Sequence, residues 1–183
     1  MCSATKQVEP AVTDSHNAAT AFRDPTSRRI VDFLIDIGIA VDTCSLRQET
    51  FLPGILIDAG QLRVDEDKLR HPGDLLHEAG HLAVVSPQRR AQLQGNVGTG
   101  DGAEEMPAIA WSWAALIHLG LDPAVVFHAD GYHGASESII ENFAQGRYFG
   151  VPVLQWLGMT CEEGQAVARG VAPYPHMIKW LCE

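Results

Sequence analysis

Two histidines and a glutamate in the segment HEAGH have the residue types and spacing of a metal site. His77 and His81 are four residues apart, so on an α-helix both imidazoles lie on one face, one above the other. That spacing lets both rings bind a single zinc ion. Glu78 projects beside the metal, where it can accept a proton from a zinc-bound water that the ion has acidified. The segment predicts zinc binding, with Glu78 as a general base.

A third protein ligand must come from elsewhere in the chain. The extended motif HExxHxxGxxH does not apply, because Val84 and Pro87 occupy its glycine and last histidine positions. Glu104 and Glu105 begin the next helical pattern, and a carboxylate from a following helix is a usual alternative. Asp101, in the segment GTGDG, is a weaker candidate.

The residues alone do not decide between the two glutamates. Pro107 places both Glu104 and Glu105 in the first turn of a helix, where the missing N–H of proline costs little. Negative charge is also favoured at any helix N-terminus, so ordinary acidic capping is the competing interpretation of the pair.

The elements that position these residues follow from the hydrophobic pattern. Residues 25–37 have the i, i+3, i+4, i+7 spacing of an amphipathic helix, and Gly38 ends it. Three extended segments follow at 39–43, 54–58 and 62–65, and the last two are joined by a tight turn. We therefore expect an α+β fold, mostly helical. A small antiparallel sheet of two or three strands should pack on the HExxH helix and on a following helix bundle.

The remainder of the chain has a helical pattern interrupted by loops. Residues 88–102 are polar and glycine-rich and predict a long loop. Helices are predicted from about residue 71 to 85, from 104 to 119 with a stop at Gly120, from Pro123 to about 129, and near 135–145, 151–157, 162–168 and 174–182. The predicted organisation is a flexible arm at 1–24 and a single domain at 25–183. That domain divides into a metal-site half at 25–120 and a helical half at 121–183.

Composition limits the classes of partner. The net charge of −10 disfavours nucleic acid and anionic membranes, because both repel an acidic surface. The four cysteines have no CxxC spacing, so neither a zinc knuckle nor a disulfide framework is expected. No secretory signal and no apolar stretch long enough for a membrane span is visible. These features predict a cytoplasmic protein whose partner is a peptide or protein substrate.

The sequence around the motif resembles a known family. HEAGHLAV followed by EEMPAIAWSWAALI is similar to the ImmA/IrrE-type metallopeptidase-like domain, in which HExGH precedes a helix of the form E-A-N-x-F-A. The resemblance covers roughly residues 30–120, and Glu105, Ile109 and Ala110 fall in matching positions. It implies a zincin-like fold of the gluzincin type, peptidase activity and Glu105 as third ligand. Met106-Pro107 stands where the family has Ala-Asn, and no helix-turn-helix that would accompany repressor cleavage is present.

Two further residues are candidates for the chemistry. A zinc peptidase needs a donor that stabilises the oxyanion, and Tyr132 or His133 in the segment FHADGYHGASES can supply one. Packing within their own loop is the alternative. The leading hypothesis is a zinc-dependent peptidase. A regulatory or partner-binding domain that holds zinc without turnover is the second, and a hydrolase of small amides is the third.

Overall fold

The computed structural model describes residues 21–95 and 104–183. The elements in these two ranges form an α+β fold, which confirms the predicted class. The helices are α1 (Pro25–Asp36), α2 (Asp74–Ala83), α3 (Pro87–Arg90), α4 (Glu105–Leu119), α5 (Pro123–Val126), α6 (Ser136–Ala144), α7 (Val151–Trp156) and α8 (Glu163–Arg169). The strands are β1 (Val41–Thr43), β2 (Ile55–Asp58), β3 (Gln61–Val64) and β4 (Gln94–Gly95).

The sheet differs from the predicted one in strand number and direction. Its order is β1-β3-β2-β4, with four strands instead of two or three. The β2–β3 hairpin is antiparallel, as predicted, but β1 pairs with β3 in parallel. The purely antiparallel prediction was therefore wrong. The direction of a pair depends on the path of the connecting segment, here residues 44–60 with β2 inside it, and hydrophobic periodicity carries no information about that path.

The first described residues are packed against the fold. Phe22 is fully buried, and the side chain of Asp24 caps α1 by accepting a hydrogen bond from the amide of Ser27. Glu66, which follows β3, accepts hydrogen bonds from the backbone amides of Arg23 and Asp24. Residues 22–24, which the sequence placed in a flexible arm, are therefore packed against the domain, and residues 1–20 of the predicted arm lie outside the described ranges.

Helices α2 and α4 form the centre of the core. A Cβ on Gly80 would lie 2.8 Å from the carbonyl oxygen of Ala108, so the missing side chain lets α4 approach α2 closely. The buried Ser112 hydroxyl donates to Ala108 O at 2.8 Å and lies 3.2 Å from Leu76 O, which bridges the two helices. Both helices are apolar around most of their circumference, as expected for helices covered on several sides.

Two local predictions were wrong. Residues 174–182, predicted as a helix, are instead turns and a short antiparallel bridge between Thr160 and Met177. Pro175 lies inside that segment, where it removes a backbone donor and disfavours a helical conformation in the residue before it. Helix α3 and strand β4 occupy part of the segment predicted as a loop at 88–102.

The end of the chain is tied to the end of α2. The guanidinium of Arg90 donates to the carbonyl oxygens of Leu82, Val85 and Cys182 at 2.7, 3.1 and 2.9 Å. Free carbonyls are left at every helix C-terminus, so these contacts supply partners that the helix itself cannot provide. Within residues 21–95 and 104–183, no helix combines the length and hydropathy needed to cross a membrane.

Candidate metal centre

Three side chains converge on one point between α2 and α4. His77 Nε2 and His81 Nε2 are 3.3 Å apart, and the carboxylate of Glu105 lies 3.7 Å from the first and 3.3 Å from the second. The two imidazole planes meet at 87°. Two nitrogens bound at ~2.0–2.1 Å to one tetrahedral zinc ion lie about 3.3 Å apart. The spacing and the donor set of two imidazoles and one carboxylate therefore fit a zinc ion.

The residue at which α4 begins gives the two candidate glutamates different partners. Glu105 is the first residue of the helix and faces α2, whereas Glu104 precedes it and pairs with Arg89 at 2.6 Å. The structure thus brings Glu105 to the histidines and Glu104 to a cation. Asp101, the weaker candidate, lies outside the described residues.

The charge states of these ligands suit a cation. Burial lowers the pKa of His77 to about 4, assisted by the neighbouring His81, so the ring is neutral at physiological pH. Burial acts to raise the pKa of Glu105, but the hydrogen bond from His81 and the electrostatic influence of the surrounding histidines outweigh it, and the net shift is downward. Metal ligands must be deprotonated, and both groups meet that condition.

Glu78 lies next to these three candidate ligands without joining them. It is 7% exposed, and among the described residues its Oε2 has no hydrogen-bond partner. Burial raises its pKa to about 7. A buried carboxyl without a partner costs free energy, so such a group is rarely retained for packing alone. A pKa near neutrality is the value at which a carboxyl transfers protons most effectively.

A cavity of about 210 Å³ opens beside Glu78. Strand β2 and the preceding loop form its walls, and Phe51, one of the lining residues, is 67% exposed. That loop is fixed by Asp65, a buried carboxylate that accepts a hydrogen bond from the amide of Leu46 at 2.9 Å. The lining residues are Gln48, Glu49, Thr50, Phe51, Leu52, Ile55, Leu56, Ile57, Glu78 and Gly95.

Tyr132 and His133 lie in a strained turn over the ligands. Both have left-handed backbone conformations, with φ of 53° and 52°, which are uncommon for residues other than glycine. The Tyr132 hydroxyl lies 3.2 Å from Nδ1 of His77, so it contacts the ring nitrogen that faces away from the convergence point. His133 is exposed, and its charge is among the influences that lower the pKa of Glu105. The two residues suggested as oxyanion donors therefore both lie near the centre, and Tyr132 contacts a ligand.

A second group of ionisable residues was not predicted from the sequence. His128 Nε2 is 2.9 Å from the buried Asp74, and its ring stacks on His71 with centroids 3.6 Å apart and planes at 10°. Asp130 lies 3.3 Å from His71 Nε2. Ligand atoms of His71, His128 and Asp130 also lie within 4.8 Å of one another, but the two rings are stacked in parallel, whereas the planes of His77 and His81 meet at 87°. These residues come from two distant segments, and no spacing signal could have identified them.

Comparisons of the chain with family models, with curated proteins and with solved structures found no match.

Proposed function

We propose that this chain is a zinc-dependent hydrolase that cleaves peptide bonds, with His77, His81 and Glu105 as ligands and Glu78 as general base. One observation carries the proposal. Three ligand atoms lie within 4.8 Å of one another, and an unpartnered buried carboxylate is adjacent to them. Structural zinc sites are usually closed by four protein ligands, whereas catalytic sites have three and leave a position for water or substrate.

The protein's own residues account for the proton transfers. A bound zinc ion supplies a Lewis acid that polarises a carbonyl and acidifies water. Glu78 takes a proton from the attacking water and later returns it to the leaving amine. Its raised pKa makes the carboxyl a better base than an exposed glutamate, and its burial keeps bulk water from competing for the proton.

The cavity beside Glu78 supplies a place for substrate. Its walls include the apolar side chains of Leu52, Ile55 and Ile57, so it favours an uncharged side chain of the substrate. The arrangement is also the one that the resemblance to the ImmA/IrrE-type metallopeptidase-like domain implies. We therefore also propose that the fold is zincin-like and that the zinc site is of the gluzincin type, with a glutamate as the third ligand.

The test separates metal binding from turnover. Glu78→Gln should retain one equivalent of zinc and lose about 10²- to 10⁴-fold in peptide hydrolysis, because the amide cannot accept the proton. Glu163→Gln makes the same chemical change at the start of α8, which carries no proposed ligand and does not line the cavity, and should leave the rate unchanged. Purified protein that takes up no zinc on titration would refute the proposal.

A matched pair of variants tests the ligand assignment. Glu105→Ala should lose zinc, whereas Glu104→Ala removes only a contact to the exposed Arg89 and should retain it. Zinc loss in the second variant and not the first would reverse the assignment.

A zinc-binding domain without turnover is the second candidate. It is favoured by the position of the Tyr132 hydroxyl, which contacts His77 Nδ1 instead of the side where an oxyanion would form. Wild-type protein that holds zinc but cleaves no member of a peptide library would support this candidate over the hydrolase.

A further inference from the structure

One loop covers the ligand-bearing face of α2. Asp74 and His77 are three residues apart on that helix, so they lie one turn apart on the same face. His128 contacts the first at 2.9 Å, and Tyr132 contacts the second at 3.2 Å. The loop that begins at residue 128 is therefore anchored to α2 at two successive turns.

The loop is closed by its own hydrogen bonds. The carbonyl of His128 accepts from the amide of Gly131 at 3.1 Å and from the hydroxyl of Ser136 at 2.6 Å. A Cβ on Gly131 would lie 3.1 Å from Cε1 of the His128 side chain, so the backbone returns close to that ring at this point. Tyr132 follows with a positive φ. Such backbone strain persists only where the surrounding contacts over-determine it.

The contact at His77 has a consequence for the protonation of the ring. A neutral imidazole carries its proton on one nitrogen, and the nitrogen that binds metal must be the bare one. Nε2 of His77 is the atom that faces His81 and Glu105, so Nδ1 must carry the proton. The Tyr132 oxygen is then the acceptor for that N–H. A ligand histidine usually gives its second N–H to such a partner, which fixes the tautomer and the ring orientation.

We propose that Tyr132 is a positioning residue that holds His77 in the metal-binding tautomer, and that the His128–Asp74 pair sets the loop that carries it. This inference rests on the proposed function, since it requires zinc at His77, His81 and Glu105. Tyr132 acts through His77 in this role and does not touch the substrate.

Tyr132→Phe removes only the hydroxyl and is the primary test. In a chelator-competition titration with zinc alone, its Kd should rise about 10- to 100-fold, the usual effect of losing an outer-shell partner. Tyr174→Phe is the matched control, because its buried hydroxyl donates to Ala110 O at 2.8 Å, away from the centre. The control should lower thermal stability and leave the zinc Kd unchanged. An unchanged Kd in Tyr132→Phe would overturn the inference.

Nitrogen-15 NMR of the zinc-loaded wild type gives a second readout that a merely structural role would not affect. His77 should show a protonated Nδ1 and a metal-bound Nε2, and the reverse assignment would overturn the inference even if Tyr132→Phe failed to fold. His128→Ala should weaken zinc binding in the wild type and add nothing in the Tyr132→Phe background, because both changes release the same contact. Wild-type protein without zinc affinity would instead refute the proposed function itself.

Discussion

Replacing Gly80 by alanine should displace Glu105, the proposed third ligand, from the two histidines. The added Cβ would lie 2.8 Å from the carbonyl oxygen of Ala108, about 0.6 Å inside the 3.4 Å at which ordinary contact begins. The obstructing atom is backbone, so α4 must retreat from α2. Glu105 is one turn before Ala108 on α4 and moves with it. Ligand distances at a metal site tolerate about 0.2 Å, roughly a third of this shift.

The expected effects on stability and on zinc binding differ in size. Overpacking a core costs about 1–3 kcal/mol, whereas alanine in place of a helical glycine contributes about 0.5–1 kcal/mol in the opposite direction. Gly80→Ala should therefore fold with a loss of about 0–2.5 kcal/mol. Its zinc Kd should rise at least about tenfold, equivalent to about 1.4 kcal/mol.

Zinc competition titration and thermal unfolding with and without zinc measure the two effects separately. Gly164→Ala is the control, because its Cβ would meet no atom within 4 Å and α8 carries no ligand. The control should bind zinc like the wild type. If folded Gly80→Ala also binds zinc with unchanged affinity, then the α2–α4 separation does not set the ligand geometry.

Two further predictions concern the contacts that fix the ends of the fold. Burial acts to raise the pKa of Glu66, but the hydrogen bonds from Asp24 and Arg23 outweigh it, so the pKa is lowered in the folded state. The Glu66 carboxylate therefore stabilises the folded state at pH values above its unfolded pKa of about 4.3. Glu66→Gln should lower the free energy of unfolding, measured by urea titration at neutral pH, by up to about 1 kcal/mol. The difference from wild type should vanish as the pH falls through the folded pKa of Glu66, and a difference that stays constant with pH would contradict this. Arg90→Ala removes three hydrogen bonds to carbonyls and should lower the free energy of unfolding by about 2–3 kcal/mol, measured by urea titration. Arg89→Ala, at an exposed ion pair, should cost less than about 1 kcal/mol, and equal losses would show that the Arg90 contacts contribute little.

Much of the helical framework follows from local pattern. Helices α1, α2 and α4 have apolar spacing, caps or glycine stops within a few residues of their ends, and the structure has them where the pattern predicts. The pairing of the strands does not follow from local pattern. The parallel partner of β1 lies beyond a long loop, and β4 has only two residues, Gln94 and Gly95, which is too short for any alternation. Residues 174–182 do not form a helix, because Pro175 removes a backbone donor inside that segment.

The candidate site also has residues that the sequence predicts and residues that it does not. His77, Glu78 and His81 are recognisable because a helix converts sequence spacing directly into a shared face. The choice of Glu105 over Glu104 depends on which residue starts α4, a matter of one position that the pattern leaves open. The contact of Tyr132 with His77 depends on two left-handed residues in a loop, and no residue type at 132 or 133 predicts that conformation.

The unpartnered carboxyl of Glu78 lowers the stability of the fold, although the proposed reaction requires it. An interior acid that finds no donor weakens the folded state, and replacing it by an uncharged residue of similar shape relieves that cost. A selection for heat tolerance alone would therefore favour changes at Glu78 that remove the proposed general base. Only a selection that also demands turnover would keep the acid in place.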